Sequence, residues 1–420
     1  MPASKPTPHA AIDEAELHSD VAILGGGMVG LSLAILLAQA LPHRRITLVE
    51  SLPYPAAGGS DQPMFQPSFD ARSSAIAWGS QSIFSAMAVW PALQQHLTPI
   101  ATVHVSDKGH VGGCRMQAQE YGVPALGFVV DNAWLGACLL ARAQQFTNLT
   151  INAPASVKAL APRRGGYGLQ LENQGQVVDH NTRLAVIADG AQSGLRQRLG
   201  IASQVTDYQH HALIANVAFT QPHQGVAYER FTATGPVAVL PRAKQEGALI
   251  WTLPSEQAEA VAEQGDDTLL AQLQTAFGQR LGRFTRIGQR TLYPLQLTQA
   301  KEQVRPHLVV MGNAAHSLHP VAGQGFNLSL RDCQSLATSL AKHDAGDDQF
   351  AQLCALQAYQ SQQQADQWLT TQFSDQLPRW FSNPGLAQAA VRGAGLLALE
   401  LVPAGKRRLA KQSMGLGGRL

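Results

Sequence analysis

Residues 20–50 limit the fold of this chain more than any other stretch. Asp20-Val-Ala-Ile-Leu24 is an apolar run of the buried-strand type, and Gly25-Gly-Gly27-Met-Val-Gly30 follows it at once. A helix over 31–40 comes next, then a second strand over 46–49 that ends at Glu50. Strand, glycine turn, helix and strand in this order make a crossover unit of an α/β fold. Gly25 permits the tight turn, Gly27 lets the backbone approach a pyrophosphate, and Gly30 lets helix and strand pack closely. Glu50 stands 20 residues beyond Gly30, where a ribose-binding carboxylate belongs. With every part in register, the run predicts a dinucleotide site. The other glycine clusters, at 109–113, 165–168 and 415–418, follow no apolar strand and read as turns. A nicotinamide donor therefore has no Rossmann site of its own here.

A second glycine site lies nearly 300 residues further on. Leu308 to Met311 reads as a strand that stops at Gly312, followed by Asn313, a small-residue turn and the His316/His319/Pro320 cluster. Gly323 and Gly325 then open a helix through Phe326, Asn327, Leu328, Leu330 and Leu336. Unpaired N–H groups and the helix dipole make such an opening a place for negative charge. Two sites so far apart point to one elongated cofactor held at both ends.

Two more segments carry polar groups next to apolar runs. In Phe69-Asp-Ala-Arg-Ser-Ser-Ala-Ile-Ala-Trp-Gly-Ser80, after a Pro/Gly-rich loop over 51–67, Arg72 taken alone is either a solvated surface charge or a ligand contact. In Leu184-Ala-Val-Ile-Ala-Asp-Gly-Ala-Gln-Ser-Gly-Leu-Arg196, a buried strand ends at Asp189-Gly190, with Ser193 and Arg196 on the turn beyond. Asp189 there is either a helix N-cap or a cofactor contact.

Composition narrows the class. A chain of 420 residues with 45% hydrophobic and 14% charged residues builds two or three domains, and its net charge of +2 gives no case for nucleic acid. Cys114, Cys138, Cys333 and Cys354 form no C-x-x-C pair and fit a reducing compartment better than a disulfide framework or a zinc site. Residues 1–18 read as a disordered leader without a signal-peptide core. The apolar stretch 386–403 is interrupted by Arg392 and Glu400 and is a poor bilayer span. A cytoplasmic enzyme is expected.

Together these elements resemble the class A flavoprotein aromatic hydroxylases of the para-hydroxybenzoate-hydroxylase fold. The shared features are G-x-G-x-x-G with Glu50, D-x-R at Asp70 and Arg72, A-D-G-x-x-S-x-x-R at 188–196, and G-N-A-A-H-x-x-H-P-x-A-G-Q-G-x-N at 312–327. The resemblance runs from Asp20 to Leu416. Within the family, the stretches 101–110, Glu229-Arg-Phe-Thr232 and 235–241 are similar to the ubiquinone-biosynthesis hydroxylases, nearest the 2-polyprenyl-6-methoxyphenol hydroxylase type. Most of the wider family carries Gly-Asp where this chain has Gly312-Asn313. An amide still accepts a ribityl hydrogen bond, without the charge that roughly doubles its strength.

The resemblance implies a Rossmann-like FAD domain over 19–204 and 296–345, an inserted antiparallel β-sheet substrate domain over 205–295, and a helical region over 346–420. It implies FAD as cofactor, with Gly25, Gly27, Gly30 and Glu50 at its ADP end. Arg72, Asp189, Gly190 and Asn313 would lie along it, and Gly323, Gly325, Phe326 and Asn327 would meet the flavin ring. NAD(P)H reduces the flavin, O2 adds at C4a, and the hydroperoxide transfers oxygen to a polyprenylated phenol, or in a same-fold alternative to another ring carbon or a soluble aromatic. A base that deprotonates the phenol would help, and His316 and His319 are candidates for it by position or else satisfy backbone groups, while the Pro320 carbonyl would face the substrate ring. A Trp-x-Trp-x-Ile halogenase signature is absent from the sequence.

Alternating, β-branched segments at 213–219, 227–231, 237–240 and 249–253 predict a half-buried antiparallel sheet, with Phe231, Leu240 and Trp251 as either pocket wall or sheet core. In the tail, an apolar stretch precedes Lys406, Arg407, Arg408 and Lys411. Such a segment either packs on the FAD domain or meets a membrane surface or a partner protein of the ubiquinone pathway.

Overall fold

The first strand, Leu17–Leu24, sits at the centre of a parallel sheet because both of its faces are apolar. It pairs with Ile46–Val49 on one side and Gln176–Ile187 on the other, and Leu149–Asn152 and Leu308–Val310 extend the sheet outward. Val21 and Ile23 enter one core cluster while Ala22 and Leu24 enter another on the opposite face, as expected of a strand covered on both sides. The helix Met28–Ala40 is buried from Gly30 to Ala38. It is apolar almost all round because it is wedged between the sheet and the helices Asn132–Ala143 and Gln324–Lys342. The strands Ser156–Arg163 and Gly166–Asn173 continue the sheet as an antiparallel arm. This computed structural model describes residues 17–54, 72–109, 113–318, 323–344, 346, 350–381 and 402–416.

A nine-stranded sheet forms the second layer. Ser203–Phe219 pairs with Thr291–Ala300 and with Glu246–Pro254, and Val237–Pro241 and Val226–Phe231 follow in order. All four strands expected between 205 and 295 are present. The sheet also recruits Thr102–Asp107 and Gly113–Gln117 from the earlier part of the chain, and His316–Ser317 at its far edge. Val226–Phe231 would otherwise leave its backbone groups unpaired at an edge, and the parallel partner Thr102–Asp107 satisfies them.

The two faces of this sheet differ in what covers them. Leu213, Val217, Val239, Leu249 and Trp251 pack on Leu269, Leu273 and Phe277 of the helix Asp266–Phe277, with Ala258 of the helix Ser255–Ala262. The alternate residues look the other way, into a cavity. A small sheet of Ser73–Ala77, Gly127–Asp131 and Leu97–Ile100 borders that cavity. The helix Leu353–Phe381 lies against Gln324–Lys342, and Pro403–Ser413 returns to the cavity. No helix among the described residues is long and apolar enough to cross a membrane. Residues 386–401, which read as a poor bilayer span, lie outside the described residues, as does the leader up to residue 16.

Candidate active site

Three loops meet at the carboxyl ends of the central parallel strands. Gly25 has φ +118°, and a Cβ there would lie 2.4 Å from the Ala188 carbonyl oxygen, so the first loop touches the turn that carries Asp189. A Cβ on Gly30 would lie 1.9 Å from the Gly25 carbonyl oxygen, which fixes helix against turn. Gly27 differs: a Cβ there meets nothing within 4 Å. It caps the helix Met28–Ala40 with no side-chain bond and no acid in the first turn. The N–H groups of Met28, Val29 and Gly30 therefore face open space beside Gly27, which suits a pyrophosphate.

Glu50 holds this turn in shape. Its Oε2 accepts the Gly26 N–H at 2.7 Å, and its Oε1 accepts the Leu52 N–H at 2.9 Å and the Ser51 hydroxyl at 3.1 Å. A carboxylate offers about four acceptor sites, so one is left for a ribose hydroxyl.

At the neighbouring turn, Asp189 Oδ2 accepts the Leu195 N–H at 3.3 Å and Ser193 Oγ accepts the Arg196 N–H at 3.0 Å. Asp189 thus braces the turn through one oxygen. Gly190 beside it has φ +93° and open space where a Cβ would stand. Arg196 is buried and donates from Nη1 to the Ala314 carbonyl at 2.5 Å, fastening this turn to the third loop. In that loop Gly312, at φ +63°, packs against Val29, and Asn313 is exposed on the cavity wall.

The late helix opens at Gly323, a left-handed residue whose Cβ would stand 3.0 Å from that of Ala75. No acid occupies its first turn and no side chain caps it, so the helix opening at Gly325 and Phe326 favours an anionic group. Phe326 also stacks obliquely on Phe84, with centroids 6.4 Å apart.

The Asn327 side chain has a task beside the ring contact expected at its position. It is buried, and its Oδ1 accepts the Ala77 N–H at 2.8 Å and the Ser80 hydroxyl at 2.9 Å. Its Nδ2 donates to the Ala75 and Gly323 carbonyls at 2.9 and 2.7 Å. All the side chain's hydrogen-bonding capacity goes into clamping the helix opening to the strand Ser73–Ala77.

Between this opening and the nine-stranded sheet lies a cavity of about 520 Å³. Asn313, Ser317, Leu318 and Gly323 to Phe326 form one side, and Arg72 stands at its border, donating to the Tyr293 hydroxyl. The sheet contributes an alternating set: Val103 and Val105, Ala227 and Phe231, Ala238 and Leu240, Ile250 and Ile214. Leu409, Ala410, Ser413 and Met414 close it from the C-terminal helix. Phe231 and Leu240 are thus cavity wall, while Trp251 lies on the opposite face in the core against the helices. Cavity and core residues alternate along each strand, so period two alone does not say which face is which.

Sequence reasoning missed a carboxylate in this wall, the only one among the described lining residues. Glu229 shares a strand face with Ala227 and Phe231, and burial pushes its carboxyl up to about 7.

His316 lies beneath the cavity wall and is absent from its lining. Buried together with Asp332, it places Nε2 at 2.7 Å from Asp332 Oδ2, and Asp332 Oδ1 accepts from Gln367 Nε2 at 3.1 Å. Loop, late helix and the helix Leu353–Phe381 are joined by this network, which is the structural alternative for His316. His319, Pro320 and Asp70 fall outside the described residues. No cluster of His, Cys, Asp or Glu that could hold a metal occurs among the described residues.

Known proteins share both the sequence and the architecture. Residues 138–374 match the FAD binding domain family. Ubiquinone hydroxylase UbiL of Rhodospirillum rubrum is 32% identical over 402 residues, covering 96% of this chain and 90% of that protein. The chain belongs to the FAD-dependent monooxygenases of the ubiquinone-hydroxylase family. The 3-demethoxyubiquinol 3-hydroxylase of Escherichia coli is another member, 30% identical over 401 residues, with 95% of this chain and 99% of that protein covered. Among solved structures, p-nitrophenol 4-monooxygenase PnpA from Pseudomonas putida DLL-E4 superposes with a TM-score of 0.76 at 16% identity. It covers 96% of this chain and 100% of that one, and it establishes the para-hydroxybenzoate-hydroxylase-like fold. The monooxygenase uses FAD and NAD(P)H, and its residues fit the cofactor. The open cradle at Gly27, the spare acceptor on Glu50 and the uncapped helix at Gly323 match diphosphate, ribose and an electron-rich ring edge.

Proposed function

We propose that this monooxygenase hydroxylates the ring of a polyprenylated methoxyphenol in ubiquinone biosynthesis. The observation that carries the reading is the cavity of about 520 Å³, whose sheet wall is mostly apolar and whose other wall is the uncapped opening of the late helix. The relatives named ubiquinone hydroxylase support the substrate class. When bound, FAD takes hydride from NAD(P)H and activates O2 for transfer of one oxygen atom.

The chain's own residues do the rest. Gly25, Gly27, Gly30, Glu50 and Gly190 hold the nucleotide end. Asn313, Gly323, Gly325 and Phe326 hold the ring end, with Arg72 at the border and Asp189 and Asn327 keeping the loops in shape. The apolar face of the sheet excludes water and orients the phenol. A cavity of this size falls in the ordinary small-molecule range of about 300–1,000 Å³. A long prenyl tail exceeds it and runs out past the C-terminal helix. Arg407, Arg408 and Lys411 are exposed on that helix while Leu409 and Ala410 face inward, which suits contact with an anionic lipid surface at the cytoplasmic side.

The test uses the FAD-loaded enzyme under air with NADH or NADPH and a short-chain polyprenyl methoxyphenol. Phenol-dependent NAD(P)H oxidation with a product heavier by one oxygen atom is expected. Oxidation that is indifferent to the phenol refutes the reading. A deletion strain that accumulates an earlier or later ring intermediate would move the reaction to another ring carbon.

A further inference from the structure

Glu229 is an unusual presence in its surroundings. The strand Val226–Phe231 turns Ala227, Glu229 and Phe231 toward the cavity. On the flanking strands Glu229 stands opposite Val105 and Ala238, both of which also line the cavity. Its carboxylate makes no hydrogen bond and no ion pair with any described residue. A half-buried ionised carboxylate facing an apolar cavity without partners is costly, and such a group is a candidate for completion by a ligand.

The neighbouring ionisable groups do not complete it. On its own strand Tyr228 packs edge-on against Phe277, and the Arg230 guanidinium lies near Gly278. On Thr102–Asp107, Asp107 stands opposite Phe231, one step further along, and the His104 ring lies tilted against Tyr228 with centroids 5.7 Å apart. Cys114 is on the next strand, opposite Val105, and Arg72 is at the cavity border, engaged with Tyr293. Val237–Pro241 offers only apolar side chains, and the C-terminal helix presents Leu409, Ala410, Ser413 and Met414.

We propose that Glu229 is the base that takes the proton from the substrate phenol, a role that rests on the function proposed above. The phenol O–H bond breaks, the proton passes to a Glu229 carboxylate oxygen, and the electron pair stays on the phenol oxygen. Nothing is oxidised or reduced in this step. The negative charge delocalises onto the ring carbons ortho and para to that oxygen, making them the nucleophile that oxygen transfer requires. A carboxyl titrating at about 7 suits a base that works near neutral pH.

The test compares the FAD-loaded wild type with Glu229→Gln and Glu229→Asp. Hydroxylation by the wild type is expected to rise about tenfold per pH unit below the Glu229 transition and to level off above it. Glu229→Gln should lose that transition and about 10²–10⁴-fold in rate at pH 8. Glu229→Asp should recover part of the rate. A ring analogue acidic enough to be ionised in solution should restore Glu229→Gln, because its proton is already gone. A Glu229→Gln enzyme that keeps the wild-type rate and pH profile overturns the assignment, as does failure of the pre-ionised analogue to rescue it. A wild type that neither binds nor hydroxylates any phenol overturns the function itself together with this role.

Discussion

Gly27→Ala and Gly30→Ala separate the cofactor role of the first turn from its packing role. At Gly27 the backbone has φ −67° and ψ −174°, open to any residue, and a Cβ meets nothing within 4 Å. The apoprotein should therefore keep its stability, or gain about 0.4–1 kcal/mol from a less flexible unfolded chain. The methyl group occupies the space in which the diphosphate lies, so at least one N–H to phosphate bond is lost. Hydrogen bonds to charged groups contribute about 1.5–3 kcal/mol, and each 1.4 kcal/mol is tenfold in affinity. FAD Kd should rise roughly 10- to 150-fold. At Gly30 the same methyl would stand 1.9 Å from the Gly25 carbonyl oxygen, and backbone must move to admit it. Overpacking of this kind costs about 1–3 kcal/mol or more, so Gly30→Ala should lose FAD affinity and apoprotein stability together. Fluorescence titration of apoprotein with FAD measures the first quantity and thermal unfolding of apoprotein the second. If Gly27→Ala binds FAD as tightly as the wild type, the open space beside Gly27 is not the diphosphate site.

Asn327→Leu leaves the Ala77 N–H and the Ala75 carbonyl without their partner, and buried unpaired groups cost about 1–3 kcal/mol each; a lower Tm and weaker FAD binding are expected, and unchanged values would show that the clamp is dispensable. His316→Gln loses the 2.7 Å hydrogen bond between His316 Nε2 and buried Asp332, and a hydrogen bond to a charged group contributes about 1.5–3 kcal/mol. It should lower Tm while FAD-loaded enzyme keeps its kcat, whereas a hundredfold loss of kcat would place His316 in the chemistry. Native thiols should react unequally at pH 8: Cys354 is exposed, Cys333 is buried with its thiol raised well above the usual range by desolvation, and Cys138 is pushed up to about 12 by burial. Mass spectrometry after brief alkylation should find Cys354 modified first, and prior labelling of Cys333 would contradict the packing.

What was legible in the sequence had short range. The turn from Gly25 to Gly30 and its acid at Glu50 are set by spacing within one crossover unit, and the strands of the second sheet by local alternation. What escaped depended on partners far along the chain. Asn327 reads as part of a glycine loop, and only the approach of Ala75, Ala77 and Ser80, about 250 residues earlier, turns it into a clamp. Thr102–Asp107 joins the large sheet through a parallel pairing with Val226–Phe231 that no turn announces. Glu229 belongs to a quoted motif, yet its meaning depends on which of two apolar faces looks into the cavity. An acid between Ala227 and Phe231, in phase with both, was the available signal.

The closing of the cavity by Leu409, Ala410, Ser413 and Met414 has a bearing on how this enzyme matures. The Gly79 N–H bonds to the Met414 carbonyl at 2.7 Å, and Gln324 Nε2 bonds to the Ser413 carbonyl at 3.1 Å, so the last turn is stitched to the same helix openings that border the flavin site. The nucleotide cradle already needs Ala188 and the helix Gln324–Lys342, and the reaction chamber stays open on one side until these last residues have left the ribosome as well. A chamber complete enough to keep water from the reacting ring therefore depends on the last turn of the described chain.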